Sequence, residues 1–379
     1  MKENLILVIN AGSSSLKFKL FNERLRERAE GLVEKIGLAG SFISYKINGH
    51  EYKDELKVSD HDEAIAIVMD VFKKGKTDFS LIKKVGHRVV HGGEKFIKPT
   101  LITKENLKQL EDYNKLAPLH NPHNLAGIKA CLKLLPQAKN YAVFDTAWHA
   151  TMPDFAYLYA VPTEIYKKYN VRRYGFHGIS HAYVSSVAAK KLHKSKPNLI
   201  TCHLGSGCSI CAIRSGASVD TSMGLTPLEG LMMSSRSGDI DPGVIFYLQR
   251  EGLSLIEVDK LLNSESGLNG VSGMRDMRDI LIASGYKIPN YKSPIKFTKE
   301  NRYLAKLALK MFIYRIRKYI GAYYAVLGKV DAIVFTAGIG ERNKDIRDLI
   351  IAKLPFKTRI MAIPTNEELM IAKSVIGCR

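Results

Sequence analysis

Cysteine is scarce in this chain, five in 379 residues and an odd number. Three of them, Cys202, Cys208 and Cys211, crowd one apolar stretch. That distribution excludes a disulfide framework and predicts reduced thiols. A metal or redox reading of Cys208-Ser209-Ile210-Cys211 fails on geometry, because strand residues three apart point to opposite faces. There is also no run of about 18 uncharged apolar residues, which a membrane-spanning helix would need. Met1-Lys2-Glu3-Asn4 leads straight into an apolar strand pattern with no basic and then apolar leader. A soluble, cytoplasmic protein with no membrane partner is expected. Acidic residues are in the minority, 37 against 57 Lys and Arg, for a net charge of +20. The densest basic runs, Lys73-Lys74-Gly75-Lys76 and Lys306 to Lys318, lack the interleaved aromatics of a nucleic-acid stacking platform. The excess charge reads as solvated surface that steers small anions, and no nucleic-acid partner is expected.

The chain is too long for one ordinary core, and with 46% hydrophobic and 25% charged residues its composition is that of a two-domain globular protein. A short apolar strand running into a Gly/Ser hairpin occurs twice, at Leu5 to Lys17 and at Leu199 to Ile210. Each copy has a polar side chain (Asn10, His203), one spacer, a glycine (Gly12, Gly205) and then serine. This spacing lets backbone N–H groups wrap a phosphate. Two copies in register imply a duplicated domain and a phosphate-rich ligand.

Strands and helices alternate along the chain. Phe42 to Ile47 and His50 to Lys53 read as a hairpin turned by Asn48-Gly49. Asp60 to Lys73 reads as a helix with an acidic start and a basic end. Val85 to Val90 reads as a buried strand running into His91-Gly92-Gly93. Ser284 to Lys296 reads as an exposed loop ahead of a long helix, Thr298 to about Leu327, with an expected apolar stripe of Leu304, Leu307, Met311 and Tyr314. The strand Ala332 to Thr336 ends at Gly338-Ile339-Gly340, a third place where the backbone can approach a ligand closely.

Eight motifs, in order along nearly the whole chain, resemble the acetate kinase (acetokinase) family: NAGSSSLK from Asn10, GHRVVHGG from Gly86, LHNP from Leu119, FDTAWH from Phe144, RRYGFHGISH from Arg172, SRSGDIDPG from Ser235, FTAGIGE from Phe335 and PTNEEL from Pro364. The resemblance implies an α/β protein with the duplicated actin-like ATPase fold of sugar kinases, heat-shock 70 and actin, and two domains with a central cleft. It places an acyl-substrate and metal side at 1–149 plus 369–379 and a nucleotide-binding domain at 150–368. It implies reversible, Mg²⁺-dependent transfer of the ATP γ-phosphoryl group to acetate by direct in-line displacement, with Mn²⁺ as an alternative metal and a homodimer as the assembly.

Site roles follow from the same resemblance, residue by residue. Arg88 would hold the acid's carboxylate and Arg236 the moving phosphoryl, since a planar guanidinium binds either through two parallel hydrogen bonds. His177 would donate to the transition-state phosphoryl oxygens, His181 would be structural, and His120 would have a minor part in the cleft. Asp145 is the family's acid/base candidate. The acceptor here is already a carboxylate anion at neutral pH and needs no base, so Asp145 is expected to orient Arg88 or a metal-bound water. Asn10 and Glu367 match the metal positions, and oxygen ligands suit Mg²⁺. Val90, Leu119, Phe176 and Pro227 match the acyl pocket. Ser13, Ser15 and Lys17 would contact phosphate. His203, Leu204, Gly205, Ser206 and Gly207, then Asp276, Met277 and Arg278, then Gly338, Ile339, Gly340, Glu341 and Arg342 would hold ATP.

Two positions depart from the family pattern. Ser206 stands where Asn is usual and reaches less far, and Arg342 stands where Asn is usual, as a cation able to stack on a base or face solvent. A non-catalytic nucleotide switch of the same superfold would keep Gly12, Gly205 and Gly338 but has no use for Arg88, His177 and Arg236 together. A sugar kinase would need a carboxylate base, which only Asp145 could supply.

Overall fold

The apolar run Leu5–Ala11 forms a strand, β1, whose Leu7, Val8 and Ile9 are buried, as befits the centre of a sheet covered on both faces. In this computed structural model, which describes residues 3–118 and 120–378, the chain divides into two compact units. The first comprises 1–150, 178–180 and 366–379, and the second 151–177 and 181–365. Leu119, one of the expected acyl-pocket residues, lies outside the described residues.

The first unit is built on an eight-stranded sheet. Besides β1 it contains β2 (Ser15–Asn22), β3 (Glu27–Glu34), β4 (Phe42–Ile47), β5 (His50–Glu55), β6 (Ile82–Val89), β7 (Thr100–Leu101) and β8 (Lys139–Phe144), in the order β5-β4-β3-β2-β1-β6-β8-β7. The second unit carries β9 (Leu199–Leu204), β10 (Cys208–Arg214), β11 (Ala217–Thr221), β12 (Ala332–Thr336) and β13 (Arg359–Ala362), in the order β11-β10-β9-β12-β13. The two sheets share one plan. β3-β2-β1-β6-β8 and β11-β10-β9-β12-β13 run through the same succession of antiparallel, antiparallel, parallel and parallel pairings. This is the duplication that the paired hairpins implied, in the α/β, actin-like fold that the family resemblance implied. Asn10 and His203 are equivalent, each the last residue but one of its central strand.

One face of the first sheet packs Leu7, Ile9 and Phe18 against Val68 and Phe72 of the helix His61–Lys74 and Ala130 of the helix Asn121–Leu134. The former is capped by Asp60, which accepts from the Glu63 N–H, and ends on Lys73 and Lys74, favourable for its dipole. The other face packs Ile6 and Val8 against Ile371 and Val375 of the helix Glu367–Ile376. Gly86 makes that approach possible, because a Cβ there would lie 2.6 Å from Ile371. The strand bearing Arg88 and the helix bearing Glu367 are therefore held at close range.

The long helix spans Lys299–Leu327, capped by Thr298. Its expected apolar stripe is corrected. Ala305, Ala308, Phe312, Ile316 and Ile320 are buried, whereas Leu307, Met311 and Tyr314 are exposed, Tyr314 by 61%. Apolar residues occupy more than one face of this sequence, so two stripes satisfy the 3.6-residue period and packing selects between them. Among the described residues no helix is long and apolar enough to cross a membrane, and all five cysteines are free thiols.

Candidate active site

In the first unit, Arg88 near the end of β6 meets groups from three other segments. Its Nε and Nη2 both donate to Asp145 Oδ2, at 3.1 and 2.5 Å, and its Nη1 donates to Asn10 Oδ1 at 3.2 Å. Glu367 Oε2 lies 3.9 Å from Arg88 Nε. Burial works against the charge on Arg88, but the Asp145 and Glu367 carboxylates outweigh it and hold the guanidinium firmly cationic. Beside it, Glu368 is buried and pairs with Lys17 Nζ at 2.9 Å.

This cluster has oxygens with unmet demand. Asp145 Oδ1 is buried and has no hydrogen-bond partner. Burial, reinforced by Asp145 and Glu368, pushes the Glu367 carboxyl up to about 7 against the pull of Arg88. Among the described residues no three His, Cys, Asp or Glu side chains converge as a closed metal cage. A few hard oxygens, Asn10, Glu367 and Asp145 Oδ1, with the remaining positions left to water, fit Mg²⁺ or Mn²⁺ and do not fit a structural zinc site.

Two asparagines of the helix Asn121–Leu134 hold the surrounding backbone. Asn124 accepts from the Val90 N–H at 2.9 Å and donates to the Ala11 carbonyl at 2.5 Å, joining the end of β6 to the first Gly/Ser hairpin. Asn121 accepts from the N–H and donates to the carbonyl of His91, each at 3.0 Å. His61 Nε2 donates to the Gly12 carbonyl at 2.7 Å. All three side chains are buried.

In the second unit, the turn between β9 and β10 is closed by the Gly205 N–H on the Gly207 carbonyl at 3.0 Å. His177 and Arg236 both approach Gly207 closely. A Cβ there would lie 3.4 Å from His177 Nε2 and 3.9 Å from Arg236 Nη1. Arg236 donates from Nη1 to the Pro227 carbonyl at 3.4 Å and, among the described residues, pairs with no carboxylate. Burial depresses its pKa. A half-buried guanidinium left without a carboxylate beside a phosphate-type turn has the donor chemistry to take an anion. His177 has a left-handed φ of +56° and stacks on His203 with ring centroids 4.1 Å apart.

The other ATP candidates gather around the same turn. The Ser206 carbonyl accepts from the Ser234 N–H at 3.1 Å, and Ser234 Oγ donates to the Arg275 carbonyl at 2.9 Å, which draws in the Asp276–Arg278 segment. Asp276 caps its helix and pairs with Arg278 at 2.6 Å, and the Arg278 guanidinium lies 4.1 Å from the Tyr291 ring centroid. Ala337, with φ of +60°, opens the helix Ala337–Arg342 against the turn, its Cβ 3.6 Å from where a Gly205 Cβ would be. Arg342 faces solvent, its side chain 82% exposed and 3.4 Å from Glu341.

Thus Asn10, Arg88, Asp145 and Glu367 come together in the first unit, with Val90 just beyond β6, while Ser13 is exposed. Phe176, His177, His203, Gly207, Pro227 and Arg236 belong to the second. Sequence reasoning missed Glu368, Asn121 and Asn124. They lie inside or beside the quoted LHNP and PTNEEL motifs, but only the tertiary structure shows what they touch.

Two phosphate-type turns on duplicated sheets, each accompanied by an arginine, define a phosphotransferase of the actin-like fold. The chain belongs to the acetokinase family, whose model matches residues 5–357. It is 48% identical over 402 residues to the acetate kinase of Halothermothrix orenii, covering 97% of this chain and 98% of that protein. Solved structures agree. A propionate kinase from Francisella tularensis aligns with a TM-score of 0.89 at 40% identity, and Porphyromonas gingivalis acetate kinase with 0.86 at 40%, each covering 98% of both chains.

Proposed function

We propose that this enzyme transfers the γ-phosphoryl group of ATP reversibly to acetate, giving acetyl phosphate and ADP by direct in-line displacement. The observation that carries the reading is Arg236, a half-buried guanidinium withheld from carboxylates and turned with His177 toward Gly207. Phosphoryl transfer asks a protein chiefly for such positioned positive charge. Arg88 holds the carboxylate of the acid, and Asp145 fixes the plane of its guanidinium. Val90 of the first unit and Phe176 and Pro227 of the second are the residues assigned to the methyl group. Arg236 and His177 donate to the equatorial oxygens of the moving group. The turn His203–Gly207 and the segments at Asp276–Arg278 and Gly338–Arg342 hold the nucleotide, while Ser13, Ser15 and Lys17 meet its terminal phosphate.

Asn10 and Glu367, with Asp145 Oδ1 at hand, would hold a divalent cation, Mg²⁺ or Mn²⁺, which when bound supplies positive charge to the nucleotide phosphates. The acceptor arrives as an anion, so no side chain has to abstract a proton. A cytoplasmic setting is supported by the five free thiols. A homodimer is supported by apolar residues exposed on the second unit, among them Phe246, Tyr247 and Ile256.

Mixing enzyme, ATP, Mg²⁺ and hydroxylamine with acetate, propionate, butyrate or glycerol tests the assignment, because hydroxylamine captures acyl phosphates as hydroxamates. Acetate is expected to give the highest yield. Propionate is expected to follow, since one methylene in an apolar pocket is worth only about 1–3 kcal/mol. Absence of hydroxamate from every acid would overturn the reading.

A further inference from the structure

Behind His177 lies a run of buried polar side chains. Ser209 Oγ on β10 is 2.9 Å from His177 Nδ1 and 2.8 Å from His181 Nε2. His181 Nδ1 is in turn 2.7 Å from Thr201 Oγ1 on β9. Ser209, His181 and Thr201 are completely buried. His177 and His181 stand one helical turn apart, with the His181 N–H bonded to the His177 carbonyl at 2.9 Å. Ser209 is paired with His203, two residues beyond Thr201 on β9, so the two hydroxyls belong to one face of the sheet.

The number of protons restricts this arrangement. A serine hydroxyl has one hydrogen. Ser209 Oγ is buried with these two ring nitrogens as its partners, and accepting from both would leave its own hydrogen without an acceptor. It therefore donates to one and accepts from the other, and the states of the two neutral imidazoles are tied together. When Ser209 donates to His177 Nδ1, His181 must carry its proton on Nε2, and its bare Nδ1 must accept from Thr201. His177 then carries its own proton on Nε2, the edge that lies with Arg236 Nη1 over Gly207. In the reversed chain His177 carries its proton on Nδ1 and turns a bare nitrogen lone pair toward Gly207. An anion at that position is attracted by the first arrangement and repelled by the second. The Arg236 guanidinium, which approaches the same Gly207 position as His177 Nε2, disfavours a positive charge on His177, and tautomer choice is then the means of making the neutral ring a donor.

We propose that Ser209, His181 and Thr201 form a tautomer-setting chain that makes His177 present an Nε2–H to the phosphoryl group. They are positioning residues for the transfer reaction, acting through His177. The inference rests on the reading of His177 and Arg236 as phosphoryl contacts.

The test uses full-length protein labelled with ¹⁵N-histidine, with MgADP and inorganic phosphate as the probe. The expected spectrum shows pyridine-type Nδ1 and pyrrole-type Nε2 for both His177 and His181, and a mixture of tautomers at His177 in Ser209→Ala. A His177 protonated on Nδ1 in the wild-type complex overturns the proposal with no variant needed. In turnover, Ser209→Ala should lower kcat by about 10- to 100-fold with KM for acetate and ATP nearly unchanged, and Ser209→Thr should restore most of it. Introduced into His177→Gln, Ser209→Ala should add no further loss. An equal loss in both backgrounds would mean that Ser209 acts only structurally and would refute the chain. If His177→Gln alone keeps wild-type kcat, the phosphoryl role of His177 fails, and the nitrogen spectrum still decides the chain.

Discussion

Arg88 directs two of its N–H groups, from Nε and Nη2, at a single oxygen of Asp145, Oδ2, and leaves Oδ1 buried without a partner. A carboxylate serving only to neutralise an arginine would engage it with both oxygens. This one orients the guanidinium with Oδ2 and keeps Oδ1 for something else. Asp145→Asn should therefore behave as a positioning variant. We expect kcat/KM for acetate to fall about 10- to 100-fold, while the shape of the pH–rate profile between pH 6 and 8 is retained. Loss of an ionisation from that profile in steady-state hydroxamate assays would restore a general-base role to Asp145.

Arg236 stands in the opposite situation, a half-buried cation without a carboxylate. On the proposed reading its contact is made chiefly in the transition state, so Arg236→Lys should lower kcat by about 10²- to 10³-fold and leave KM for acetate within a few-fold of wild type. A large rise in KM at unchanged kcat would assign Arg236 to ground-state binding. The same desolvated charge weakens the fold. Arg236→Met should melt no lower than wild type although it is inactive, as measured by calorimetry.

The parts of this molecule that were legible in its sequence are those with local causes. The hairpin turns at Gly12 and Gly205 announce themselves by residue type, and the Asp60 cap and Lys73-Lys74 end mark their helix within a few residues. The duplication followed from the repeated hairpin, and the two sheets display it. Tertiary choices were not legible. The long helix offers two apolar stripes, and only its packing partners select the one through Phe312 and Ile316. Ser209 reads as a small residue in an apolar strand until folding sets it between two histidines. Glu368 looks like a repeat of Glu367, yet one faces Arg88 and the other Lys17.

Asn124 joins two segments that both bear site residues, Val90 and the first hairpin. Both of its bonds are buried, and each backbone group left unsatisfied costs about 1–3 kcal/mol. Asn124→Leu should thus lose about 2–5 kcal/mol of stability in urea titrations. Asn124→Asp keeps an acceptor for the Val90 N–H but sets an oxygen against the Ala11 carbonyl. Its KM for acetate should rise even where the protein is folded. Asn124→Leu with wild-type stability would show that the helix does not hold these loops.

The pH dependence of stability should carry the mark of two buried histidines. Burial depresses both His87 and His91 to about 4, whereas an unfolded histidine titrates near 6.5. Between these values the unfolded chain binds protons that the folded chain refuses, so stability falls as pH falls from about 6.5 to about 4 and is fully present above 6.5. Each histidine contributes as much as about 3 kcal/mol to that slope. His87 Nε2 bonds to Asn140 Oδ1 at 2.8 Å, a contact that an amide N–H can also make. His87→Gln should therefore remain folded and lose part of the acid sensitivity. Melting temperatures from pH 7.5 to 4.5 measure this directly. A wild-type curve that is flat across that range, or a His87→Gln curve parallel to wild type, would show that the buried ring at position 87 is not a source of the acid sensitivity.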